Sequence, residues 1–156
     1  MIVPASEQDR AMVRSLLGRD PKTEFEVCVR RVDGTPVVLR NAPFEHDGTP
    51  MPTRYWLLPS SLAANAIGRL ESAGGVRRAE VEIDPADIQA AHLLYAADRD
   101  ADVPPNWVGP RPVGGVGGTR RGMKCLHAHY AHWLSGADDA VGAWVQDQLL
   151  ESERDR

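Results

Sequence analysis

The sequence predicts an α+β fold: a small antiparallel sheet packed with about five helices in a single domain over 1–150, with 151–156 as a frayed tail. Three observations carry this. Residues 22–40 read as a β-hairpin: Phe25–Arg30 alternate apolar and polar side chains, Asp33-Gly34 is a strong turn signal, and the apolar Pro36-Val37-Val38-Leu39 returns. Several other segments repeat apolar residues at helical spacing behind good capping residues. Finally, 156 residues with 42% hydrophobic content suffice for one core, and no internal repeat divides the chain.

The elements follow in order. Ser6 is placed to cap a helix over 7–17 that Gly18 ends. Phe25, Val27 and Val29 alternate with Glu26, Cys28 and Arg30 as a half-buried strand, and Pro36-Val37-Val38-Leu39 returns beside it. Asn41–Thr53, with three prolines and a second Asp-Gly, reads as a loop, and Tyr55–Leu58 as a short buried strand or a helix entry. Pro59-Ser60-Ser61 opens a helix through Ser72, with Leu62, Ala66, Ile67 and Leu70 on one stripe. Alternation in 76–83 suggests a third strand. Asp84-Pro85 starts a helix bearing Ile88, Ala91, Leu94 and Tyr95, expected to fray through Asp98–Asp102. Thr119–Ser135 reads as a helix closed by Gly136, and Asp138 or Asp139 caps a last helix carrying Val141, Trp144, Val145 and Leu149.

Composition excludes several classes. No apolar run is long enough for a membrane span, and the first fifteen residues lack the basic start and apolar stretch of a secretory signal. Two cysteines cannot form a disulfide framework, so a reduced cytoplasmic setting is expected. A net charge of −4 speaks against general nucleic-acid binding.

Glycine and proline concentrate in one place: Pro104–Gly118 holds four Pro and five Gly in fifteen residues. The surrounding segment, Val103–Ala137, has no acid but carries Arg111, Arg120, Arg121 and Lys124, a local +4 against −8 elsewhere. A Gly-rich turn (Gly114, Gly115, Gly117, Gly118) leading into a helix start with three cations is suited to an anion, because unpaired N–H groups and arginines both donate to it. It is not a Walker A loop, since no Gly-Lys-Ser/Thr follows. The same residues also fit a flexible loop with solvated arginines.

The next residues hold Cys125, His127, His129 and His132. On one continuous helix Cys125, His129 and His132 share a face at i, i+4 and i+7, spacing that suits part of a zinc site completed by Cys28, His46, His92 or a carboxylate. Cys125 beside a histidine also fits a nucleophile, with His127 as its partner. His127 equally fits a half-buried core histidine. Trp56, Trp133 and Trp144 read as core, and Trp107 as a lid or contact residue.

Several pieces in order resemble the bacterial family called domain of unknown function 501. They are Leu17-Gly18-Arg19 with Pro21, Asp33-Gly34-Thr35-Pro36, the Gly48–Thr53 loop into Tyr55-Trp56-Leu57, Arg69-Leu70-Glu71 with Gly74, and Lys124-Cys125-Leu126-His127. The resemblance spans about 16–144. It implies a bacterial cytoplasmic protein encoded near a septum-formation protein and an exopolyphosphatase-like enzyme. It also implies a cysteine-rich metal site in relatives, formed by the Lys124-Cys125-Leu126-His127 piece together with extra cysteines at roughly the positions where this chain has Arg31 and Leu58.

The leading expectation is a binding module for an anionic, phosphate-bearing small molecule or polyphosphate, at Gly114, Gly115, Gly117, Gly118, Arg120, Arg121, Lys124 and His129. The alternatives are a Cys125/His127 enzyme of hydrolase or transferase type, a zinc protein using Cys125, His129 and His132, and a module for a protein partner linked to cell division.

Overall fold

The computed structural model describes residues 1–154. Three strands, β1 (Thr23–Arg30), β2 (Pro36–Glu45) and β3 (Tyr55–Leu57), form an antiparallel sheet with β2 in the centre. Six α-helices surround it among the described residues: α1 (Glu7–Leu17), α2 (Ala64–Ser72), α3 (Gly75–Glu82), α4 (Pro85–Asp100), α5 (Leu126–Leu134) and α6 (Ala140–Arg154). The chain is an α+β domain in which the sheet separates α1 from the other helices. Successive residues of β2 face opposite ways: Leu39 joins Val13, Phe25 and Leu58 under α1, while Val38 joins the larger core of Ile67, Tyr95, Leu126, Val141 and Val145.

The hairpin carries a bulge that the alternation alone does not reveal. Val27 pairs with Leu39 but Val29 pairs with Val38, so β1 advances two residues while β2 advances one, and Cys28 is the extra residue. Val27 therefore packs with the α1 core and Val29 with the larger one. β2 also runs on to Glu45, through the first part of the expected loop.

Four expectations are corrected. Residues 76–83 are helical, not a third strand: Gly75 and Ala79 are buried four residues apart, Val76 and Ile83 join the same core, and Val81 projects into solvent. The helix expected from Pro59 begins at Ala64, after a turn in which Ser61 N–H donates to Leu58 C=O. The acidic end of α4 does not fray. Fully buried Arg54 donates Nε to Asp98 at 3.1 Å and pairs with Asp102 at 2.7 Å, and Arg40 reaches Asp98 at 3.1 Å. These cations neutralise carboxylates that would otherwise oppose the helix dipole. The fourth correction bears on the candidate site: α5 begins at Leu126, not Thr119. Gly117 and Gly122 take left-handed φ values of 66° and 63°, and Thr119 is extended, so no helix can run through them.

α6 is capped by Asp139, whose side chain accepts from the N–H of Val141 (2.9 Å) and Gly142 (3.1 Å). Of the expected tail, 151–154 continue this helix and 155–156 lie outside the described residues. No helix among the described residues is long and apolar enough to cross a membrane.

Candidate functional site

The Gly-rich segment is packed rather than open. A Cβ on Gly115 would lie 2.5 Å from His92 Cβ, so the glycine is there to let the ring pass. Val116 N–H donates to His92 Nδ1 at 3.0 Å, which leaves the ring proton on Nε2, donated to Gly122 C=O at 2.6 Å. Burial holds the His92 pKa below the ordinary histidine value. The N–H groups of Gly115, Gly118 and Thr119 are donated within the turn. Gly114, Gly115 and Arg120 border a depression along α4 that also carries Asp100, whereas Gly117 borders a different pocket. Arg120, Arg121 and Lys124 are exposed and precede the helix, and Gly118 is exposed beside them.

The helix start itself is satisfied from inside. Cys125, in extended conformation, is the N-cap of α5, and its Sγ accepts the N–H of Ala128 at 3.4 Å. The Leu126 N–H donates to Glu71 Oε2 at 2.8 Å, and Glu80 of α3 accepts from Met123 N–H at 3.4 Å. Two carboxylates from α2 and α3 thus supply the negative charge that an acid-free helix start attracts.

The structure keeps His129 and His132 together but separates Cys125 from them. His129 and His132 are buried and both turn their Nδ1 to the Asp139 carboxylate, at 2.8 and 2.9 Å. Burial alone would raise the Asp139 pKa, but the hydrogen bonds to both rings hold it well below the usual carboxylate range. This pair ties α5 to the start of α6 and has no ligand cluster with Cys125 among the described residues. Because Cys125 caps the helix rather than lying within it, the spacing i, i+4, i+7 no longer describes a shared face.

Cys125 instead meets His127 and Glu71, whose ligand atoms all lie within 4.8 Å of one another. His127 Nδ1 is 2.8 Å from Glu71 Oε1, and Nε2 is 3.0 Å from Ala64 C=O. The hydrogen bond with Cys125 raises the His127 pKa most; burial opposes it, and the Ala64 carbonyl and Glu71 carboxylate add to it, giving about 9. Glu71 was not among the expected site residues, and its only sequence signal was its place in the Arg69-Leu70-Glu71 landmark.

Cys125 and His127 lie on the lining of a pocket of ≈ 530 Å³. Its walls are apolar, from Met51, Tyr55, Trp56, Leu57 and Ala128, with Thr53 between them. Arg19 lies at its edge with its guanidinium 5.5 Å from the Trp56 ring centroid, a cation–π contact, and has no ion-pair partner among the described residues. Residues far apart in sequence, from the α1 exit, the Gly48–Thr53 loop, β3 and the α5 start, thereby converge on one cavity. Trp107 takes no part: it stacks on Phe44 at 3.9 Å between ring centroids.

A family model described as "Protein of unknown function (DUF501)" matches residues 27–147. The chain belongs to the DUF501 family. Every pocket residue except Arg19, and Glu71 beneath it, falls within the DUF501 match. No curated protein and no solved structure matches the chain.

Cys28 offers a contrast to Cys125. Its Sγ donates to Val38 C=O at 3.5 Å, and desolvation together with the Glu26 carboxylate pushes its thiol up to about 11.

Proposed function

We propose that the protein binds a small anionic molecule with an apolar body in the Arg19–Trp56–Cys125 pocket, and that Cys125 is the group that meets it chemically. One observation carries the reading: the pocket lining contains the cation Arg19, apolar walls, a thiol and His127, and no carboxylate. An apolar cavity with a few polar groups at one end is the usual form of a small-molecule site. Arg19 would hold the anionic group through its planar fork of donors while Trp56 and Met51 cover the apolar body. The reading has an anion in common with the sequence expectation but takes Arg19, not Arg120 and Arg121, as the cation that holds it. Reactive cysteines in general occupy helix N-termini beside a cationic partner, which is where Cys125 and His127 stand.

Thermal denaturation with a set of probes tests this. Benzoate, hexanoate and phenyl phosphate at millimolar concentration raise the melting temperature, whereas neutral benzamide does so far less. Arg19→Ala removes the difference, and Arg120→Ala/Arg121→Ala leaves it. No shift with any anionic probe contradicts the reading. So does a response to polyphosphate that requires Arg120 and Arg121 but not Arg19.

A further inference from the structure

Three side chains under the pocket offer one sulfur, one nitrogen and one oxygen to a common point: Cys125 Sγ, His127 Nδ1 and a Glu71 carboxylate oxygen, mutually within 4.8 Å. We propose that Glu71, Cys125 and His127 bind a single zinc-class divalent ion whose open coordination position faces the pocket.

The surroundings of each ligand fit this role. Metal-bound imidazoles almost always donate their other ring N–H to a carbonyl or carboxylate, which sets the tautomer. His127 Nε2 has the Ala64 carbonyl at 3.0 Å, leaving Nδ1 to face Cys125 and Glu71. The sulfur accepts the Ala128 N–H, and Glu71 Oε2 is held by the Leu126 N–H, so two of the three ligands are oriented by the first turn of α5.

The donor set selects the ion. A thiolate with an imidazole and a carboxylate suits zinc, whereas magnesium and calcium take oxygen ligands. Structural zinc sites close with four protein ligands, and catalytic ones hold three and keep a position open. No fourth His, Cys, Asp or Glu joins this cluster among the described residues, and the lining of Cys125 and His127 turns the remaining side to the cavity. Binding forms one bond each to sulfur, nitrogen and oxygen, and releases to solvent the proton of the thiol and the proton between His127 and Glu71. The ion goes beyond the ligand reading, and shares the pocket and Cys125 with it.

The test uses the full chain, stripped with EDTA and titrated with zinc sulfate or cobalt chloride. The expected result is one equivalent of zinc retained through desalting. Cobalt is expected to give visible bands of tetrahedral type and a thiolate-to-cobalt charge-transfer band. Cys125→Ser abolishes the charge-transfer band, Glu71→Gln and His127→Ala each weaken binding at least about tenfold, and Cys28→Ser changes neither. Circular dichroism shows which variants fold, and Glu71→Gln keeps the shape if the others do not. Zinc that washes off the folded protein, or a cobalt spectrum unchanged in Cys125→Ser, overturns the inference. Zinc uptake without a response to the anionic probes defeats the ligand reading alone, and probe binding by protein that takes no zinc defeats this inference alone.

Discussion

Glu71 Oε1 lies 2.8 Å from His127 Nδ1, while the other oxygen of the same carboxylate accepts the Leu126 N–H at 2.8 Å. A single acid on α2 therefore completes the helix start of α5 and holds the histidine beside Cys125. This contact explains why an acid-free, basic segment can begin a helix without an external anion.

The metal-free protein should lose stability on the alkaline side. The His127 pKa is raised to about 9, against about 6.5 for an unfolded histidine. The folded state binds the proton more tightly, so the contribution is fully present below pH 6.5 and is lost as pH rises through about 9. Urea midpoints measured in EDTA across this window should fall for the wild type and fall less for His127→Gln. Parallel curves would remove the ion pair from the account.

Asp139→Asn should be among the most damaging single changes. Asp139 accepts from both buried rings and from the N–H groups of Val141 and Gly142. Loss of its charge should cost about 3–5 kcal/mol in urea denaturation. Its depressed pKa gives stability above the unfolded value near 3.9 that is lost as pH falls toward the folded one, so the wild type should weaken in acid. A cost within experimental error of zero would show that α5 and α6 are held together by apolar contacts alone.

Gly142→Ala should destabilise by about 1–3 kcal/mol or more. A Cβ there would meet Trp133 Cβ at 2.2 Å and His129 C=O at 2.6 Å, so α5 and α6 would have to separate. Thermal melting of this variant checks the close approach of the two helices.

Arg120→Ala/Arg121→Ala should leave stability within about 0.5 kcal/mol of the wild type. Both side chains are exposed and have no ion pair or hydrogen bond among the described residues. A larger loss in urea denaturation would mean that these arginines are part of the packed structure.

Local chemistry made much of the fold legible. Ser6 and Gly18 bound α1, Asp84-Pro85 starts α4, and Asp33-Gly34 turns the hairpin, each through an interaction within a few residues. What local pattern could not supply was long-range. Arg54 gave no sign that it would be buried against Asp98 and Asp102, some forty residues on. Alternation in 76–83 fitted a strand as well as a helix until Leu70 and the α2 turn packed Gly75 and Ala79 inward. At the site, Cys125 and His127 were visible as a short motif, but Glu71 reaches them from another helix. Cys125 leaves the face of His129 and His132 because left-handed Gly122 and extended Cys125 put the helix start after it, while both rings stay together on Asp139.

The most direct test of the account compares alkylation of Cys125 by iodoacetate and by iodoacetamide in EDTA, with Cys28 as the internal reference, read by mass spectrometry. A pocket that gathers anions through Arg19 should raise the iodoacetate-to-iodoacetamide rate ratio at Cys125 about tenfold over that at Cys28, and Arg19→Ala should return it to the Cys28 value. Equal ratios at the two cysteines, or a ratio at Cys125 unchanged by Arg19→Ala, would contradict it.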